Sequence, residues 1–190
     1  MKIFVFAILV ILLNSFSSCR LHCDGFPDSD LKWIPYNLDD KLTYFSNKDT
    51  FELSVNDFYK TQPSTFHAMA MDMWCTYNGY YQTTKCQFGY FIKEEIAFNR
   101  HTDDGLHIKI SDNDEFVFDI WQRKSFSDTI NVKYFADSLI DKINYQEVFI
   151  ASKDTLNNSP KVAWIIIAKD KGIIEFYDFQ SKRKWQLLSK

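Results

Sequence analysis

Apolar and polar residues alternate along much of the chain with the period of two expected of half-buried β-strands. The alternation is clear over 41–46 and 50–55, which Asn47-Lys48-Asp49 joins as a hairpin. It recurs over 106–110 and 116–121, on either side of Ser111-Asp112-Asn113-Asp114. Two longer segments, 66–77 and 87–98, carry the same pattern, and in the second Phe88, Tyr90 and Ile92 share a face with a less expected Glu94. Segments 148–151, 162–168, 172–179 and 184–188 complete about ten strands. One stretch departs from the scheme. Val132, Phe135, Leu139, Ile140 and Ile143 fall at helical spacing and predict a short helix. The expected fold is an all-β domain over 31–190, an antiparallel sandwich or barrel-like sheet; periodicity does not choose between them.

The N-terminus follows a different rule. Met1-Lys2 precedes an unbroken apolar run from Ile3 to Leu13, shorter than the ~18–20 residues that span a bilayer. It reads as the core of a signal peptide covering residues 1–18. Phe16-Ser17-Ser18-Cys19 resembles a bacterial lipobox, in which Cys19 receives the lipid; ordinary cleavage after Ser17 is the alternative. Several acyl chains on Cys19 would anchor the protein to a membrane. Arg20 stands where an inner-membrane retention signal has Asp, which points to the outer membrane of a bacterial envelope. Residues 19–30, short of apolar side chains, read as a tether.

Export changes the meaning of the cysteines, because disulfides persist outside the cytoplasm. With Cys19 acylated, Cys75 and Cys86 form the expected pair and Cys23 is left over, free or paired with another molecule. Asn78-Gly79 between them is a type I′ hairpin signal, yet a two-residue turn there sets Cys75 opposite Gln82 rather than Cys86.

Composition sharpens this picture in two ways. The 18 Phe, 10 Tyr and 5 Trp exclude a disordered or linker-rich chain, while 5 Gly leave most turns to Asn and Asp, which tolerate left-handed geometry. A net charge of −3 argues against a nucleic-acid partner.

Catalytic signatures are sparse. The chain has no Gly-x-Ser-x-Gly elbow, His-Glu-x-x-His, phosphate-binding glycine loop or Cys-x-x-Cys. His101 lies beside Asp103 and Asp104, and His107 lies in a predicted strand; together they offer the least favoured reading, a hydrolase. Asp112-Asn113-Asp114-Glu115 has oxygen ligands for Ca²⁺ but the spacing of a hairpin turn. Lys182-Arg183-Lys184 reads as a charged guard on an edge strand. Met69, Met71 and Met73, with His67 in register, would share one face of a single strand. That stripe suits core filling first, then an adaptable apolar pocket, and least of all a Cu(I) site. No metal or other cofactor is expected.

Three further pieces carry a resemblance: Trp33-Ile34-Pro35-Tyr36 followed by Lys41-Leu42-Thr43-Tyr44-Phe45; Tyr145-Gln146-Glu147-Val148; and Lys169-Asp170-Lys171-Gly172-Ile173-Ile174-Glu175-Phe176 with Trp185-Gln186-Leu187. With the lipobox, the chain resembles the small uncharacterised lipoproteins of Bacteroidota. The resemblance implies a loop entering a strand at Tyr145–Val148 and carries no activity, ligand or catalytic residue. The function expected from all of this is a non-enzymatic binding or accessory module of the envelope. It is tethered through Cys19 and takes an apolar small molecule or an envelope protein; a structural assembly partner without ligand is the alternative.

Overall fold

The computed structural model describes residues 28–47, 49–60, 64–68, 72–98, 105–155 and 159–189. A one-turn helix α1 (Asp28–Leu31) leads into β1 (Lys41–Ser46), β2 (Asp49–Lys60), β3 (Ser64–Ala68), β4 (Asp72–Thr83), β5 (Lys93–Phe98), β6 (Gly105–Ser111) and β7 (Asp114–Asp119). The chain continues through β8 (Lys124–Ser125), β9 (Ile130–Ile140), β10 (Ile143–Lys153), β11 (Val162–Ala168), β12 (Gly172–Asp178) and β13 (Arg183–Ser189). All pairings are antiparallel, in the order β8-β7-β6-β5-β4-β2-β1-β13-β12-β11-β10-β9, with β3 added beside the first half of β4. Because β9 returns alongside β7 and β8, the sheet curls into a nearly closed barrel.

Up-and-down order sends successive connections to alternate ends. Those after β4, β6, β10 and β12 share one end; those after β7, β9 and β11 share the other. The second end is capped by the chain's own entry segment, where Trp33, Ile34 and Tyr36 are buried. Asp170 N donates to Lys32 O at 2.8 Å, and Tyr36 Oη donates to Lys171 O at 2.8 Å.

The aromatic surplus fills the interior. Phe51 lies 4.8 Å from Trp185, 5.4 Å from Tyr44 and 5.6 Å from Tyr90, centroid to centroid, while Phe149 collects Trp33, Phe118 and Tyr134, each at 5.1 Å. Tilted and edge-on pairs of this kind add to the burial of large apolar surfaces. A second, smaller cluster lies outside the barrel wall. Val148, Ile166, Ala168 and Ile174 are covered there by Ile140, Tyr145, Ile150 and Trp164, so β11 and β12 are buried on nearly every side. The β9–β10 hairpin provides part of that cover, and Asp141 at its tip pairs with Lys184 and accepts from Gln186.

Five local expectations give way to tertiary pairing. The helix predicted near 132–143 is instead the β9–β10 hairpin, turning on Asp141 and Lys142 at φ 47° and 70°. Two consecutive left-handed residues make a type I′ turn, which matches strand twist. Tyr145–Val148 lies within β10 and is not a loop, although Glu147 at φ 50° interrupts the regular backbone. Asn78-Gly79 is no turn: Gly79 sits inside β4, opposite Lys60 on one side and Ile96 on the other. Pairing on both edges overrides the local turn preference. Residues 66–68 and 72–77 belong to two antiparallel strands, with His67 of β3 opposite Met73 of β4. Finally, β13 is paired on both edges, so Arg183 and Lys184 guard no free edge; they pair with Asp49 and with Asp141 and Glu175.

The Cys75–Cys86 disulfide is also overturned. Cys75 lies opposite Thr65 in the first half of β4, whereas Cys86 follows its far end and donates its N–H to Tyr90 O. The strand from Cys75 to Thr83 alone covers about 26 Å, against the ~7 Å limit between bridged Cα atoms. Cys86 is a free thiol. Alkylation in denaturant without reductant is expected to modify Cys86 fully, as read by peptide mass mapping; a Cys75–Cys86 crosslinked peptide would contradict the fold.

Candidate functional site: an end cleft and a buried carboxyl

The end of the barrel opposite the entry segment carries a cleft of about 670 Å³. Its floor is set by aspartates that close strand ends. Asp114 is 1% exposed, and its carboxylate accepts from Ser111 Oγ at 2.6 Å, Lys153 Nζ at 3.0 Å and Val162 N at 3.1 Å. Burial of such a charge is tolerated because an opposite charge and further donors face it. Behind it, Asp178 accepts the hydroxyl of Tyr90 and, through its other oxygen, the N–H groups of Gln180 and Ser181 at 2.8 and 2.9 Å.

One wall is basic. Lys161 Nζ donates to Phe88 O at 2.7 Å and lies 4.2 Å from the centroid of the Tyr90 ring. Lys85 Nζ lies 2.7 Å from Asp112 Oδ2. The hydrogen bond and charge of Lys85, reinforced by Lys109 and Lys161, hold the Asp112 carboxyl below the usual carboxylate range. Thr129, Ser159 and Gln180 add hydrogen-bonding groups to the rim. The cleft is therefore suited to a polar ligand, bound by charge and hydrogen bonds.

A second polar cluster is sealed in the core. Glu94 is fully buried and lies opposite Tyr81 across β4–β5, whose Oη donates to Glu94 Oε2 at 2.6 Å. Oε1 has no hydrogen-bond partner among the described residues. Burial pushes the Glu94 carboxyl up to about 8, against the opposing pull of the Tyr81 hydrogen bond. The rings of Tyr36 and Tyr81 meet at 4.7 Å, and Tyr44 Oη donates to Ile173 O at 2.7 Å. Burial, joined by the nearby Glu94 charge, raises the hydroxyls of Tyr36, Tyr44 and Tyr81. At neutral pH this carboxyl holds its proton.

The residues singled out in the sequence are scattered. His67 and Met73 are register partners in β3 and β4, while Met69 and Met71 lie outside the described residues, as do Cys19, Cys23 and His101. His67 and Met73 therefore belong to different strands. His107 sits in β6, paired with Glu95 and Val117. Asp112 and Asn113 form the β6–β7 turn and Asp114 and Glu115 open β7; Asp112 and Asp114 point to different lysines. Reading of the sequence missed Lys161 and Gly89 altogether. Only Glu94, out of keeping with its apolar face, signalled its role in advance.

Fold and cleft together define an up-and-down antiparallel β-barrel, capped at one end and open to a polar cleft at the other. No protein-family model matches the chain, and neither does any curated protein or solved structure compared with it.

Proposed function

We propose that the protein is an exported β-barrel, tethered to the bacterial outer membrane through lipid on Cys19, that acts by binding a polar ligand in its end cleft and not by catalysis. The observation that carries this reading is the opposition of the two ends. The chain enters at the capped end, and the cleft opens at the other. Asp28 lies nine positions after Cys19, enough to reach about 30 Å when extended. A lipid on Cys19 would hold the capped end towards the bilayer and present the cleft to the surrounding compartment. The signal-like run Ile3–Leu13, the lipobox-like Phe16–Cys19 and the resemblance to small Bacteroidota lipoproteins support the tether.

Metabolic labelling with an alkyne fatty acid tests the anchor: wild type is expected to label, and Cys19→Ala to lose the label entirely. Labelling that survives the substitution sinks the tether. The cleft is tested by native mass spectrometry of protein purified from its host. A bound small molecule is expected on wild type and is expected to be lost from Ser159→Trp, which fills the rim. An unchanged ligand-bound mass in that variant removes the cleft as the binding site.

A further inference from the structure

Gly89 occupies the tight turn between Cys86 and Tyr90 at φ 78°, the left-handed region that favours glycine. The space above it is where the basic wall converges. A Cβ at this position would lie 3.2 Å from Lys161 Nζ and 3.9 Å from Lys85 Cε. Two lysines from distant loops therefore meet over a backbone stripped of its side chain. Their surroundings differ. Lys161 is held by uncharged groups, the Phe88 carbonyl and the face of Tyr90, which fix the ammonium without neutralising it. Lys85 is matched by Asp112, but that carboxylate is 71% exposed and its ion pair belongs to the class that contributes little in water. Among the described residues Asp112 is the one carboxylate in an ion pair with either of these lysines; Glu115 and Asp154 also line the cleft, and its third lysine, Lys153, is committed to buried Asp114.

Resting on the reading of the cleft as a ligand site, we propose that the corner over Gly89 is an anion site, in which Lys161 and Lys85 take the phosphate, sulfate or carboxylate group of a soluble ligand and Asp112 occupies Lys85 until that group arrives. Compact ammonium groups suit any of these oxyanions as point charges. The rim hydroxyls and amides beside them suit the uncharged polar remainder of the ligand. The position of the corner, at the end away from the entry segment, favours a soluble source over the headgroups of the bilayer that holds the tether.

The probes are inorganic phosphate and a sugar phosphate, titrated into the mature protein at constant ionic strength and followed by the amide resonances of Gly89 and Asp112. Saturable shifts are expected, tighter for the sugar phosphate. Lys161→Gln is expected to weaken binding by at least about tenfold, since a charge-assisted hydrogen bond is lost. Asp112→Asn is expected to strengthen it by about threefold, because the competing carboxylate is gone. That gain is the sharper test, since a variant that merely misfolds cannot bind better. Non-saturable shifts, an unaltered Lys161→Gln, or weaker binding by Asp112→Asn overturns the site. Lys161-dependent sedimentation with phosphatidylglycerol vesicles, without response to either soluble probe, overturns the soluble source. If the ligand co-purified with wild type persists in Lys161→Gln but is lost from Ser159→Trp, the corner assignment fails while the cleft stands. If it persists in both, the two fall together.

Discussion

As pH rises from 4.5 to about 8, burial of Glu94 is expected to cost the protein on the order of 4 kcal/mol of stability. The sign follows from where the protons sit. The folded carboxyl ionises near 8, against 4.5 for the free side chain, so across this interval the unfolded chain has released a proton that the folded chain still holds. Raising the pH therefore draws the equilibrium towards the unfolded state, with a slope approaching about 1.4 kcal/mol per pH unit, and the loss levels off above pH 8. Glu94→Gln keeps the shape and the acceptor for Tyr81 while removing the titration. Urea unfolding of both proteins across this range isolates the effect, because every other titrating group is common to the pair. The stability difference between them is expected to move by the stated amount in favour of Gln; parallel pH profiles would show that Glu94 ionises as freely folded as unfolded.

Gly172→Ala is expected to destabilise the fold by at least about 3 kcal/mol, a loss reserved for strain or overpacking at a rigid site. Gly172 opens β12 at φ 74°, and a Cβ there would stand 2.2 Å from Tyr36 Oη and 2.6 Å from two of its ring atoms. Tyr36 has little room to yield. It is 1% exposed, packs edge-on against Tyr81, and its hydroxyl is tied to Lys171 O. The added methyl therefore meets both an unfavourable backbone conformation and an immobile ring. A double-mutant cycle with Tyr36→Ala, read from thermal or urea unfolding, separates the two costs. The double variant is expected to lose clearly less than the sum of the single changes; strict additivity would mean that backbone strain alone carries the effect.

These two positions show how unevenly the chain discloses itself. Gly172 follows Lys169-Asp170-Lys171 and is conspicuous in the sequence, but the reason for it is Tyr36, which arrives from the distant entry segment. Glu94 stands out from the apolar alternation of Phe88, Tyr90 and Ile92, and the face it shares with them proves to be the core. By contrast, Lys161 and Gly89 carry no local mark. Their meeting with Lys85 depends on three strands returning to the same end of the barrel, which no spacing in the sequence encodes. Asp112 and Asp114 drew attention as oxygen ligands, yet partners from elsewhere in the chain turned each into the mate of a different lysine.

The same division holds for the fold. Strands β1, β6, β7 and β11 to β13 were legible because alternation and turn chemistry are properties of a few neighbouring residues. The β9–β10 hairpin and the interior of β4 misled, because their local signals, helical spacing in one and Asn-Gly in the other, competed with pairing partners far away in the chain. By itself, then, the sequence determined an aromatic-rich antiparallel β domain with a surplus of large side chains to bury. It left open whether those aromatics would surround a ligand or one another. Tertiary structure decided that, by curling the sheet until β9 met β7 and β8 and stacking the rings into a core. Closure is a sum of twist and register over twelve strands, and only that sum moved the polar cleft to the barrel's end.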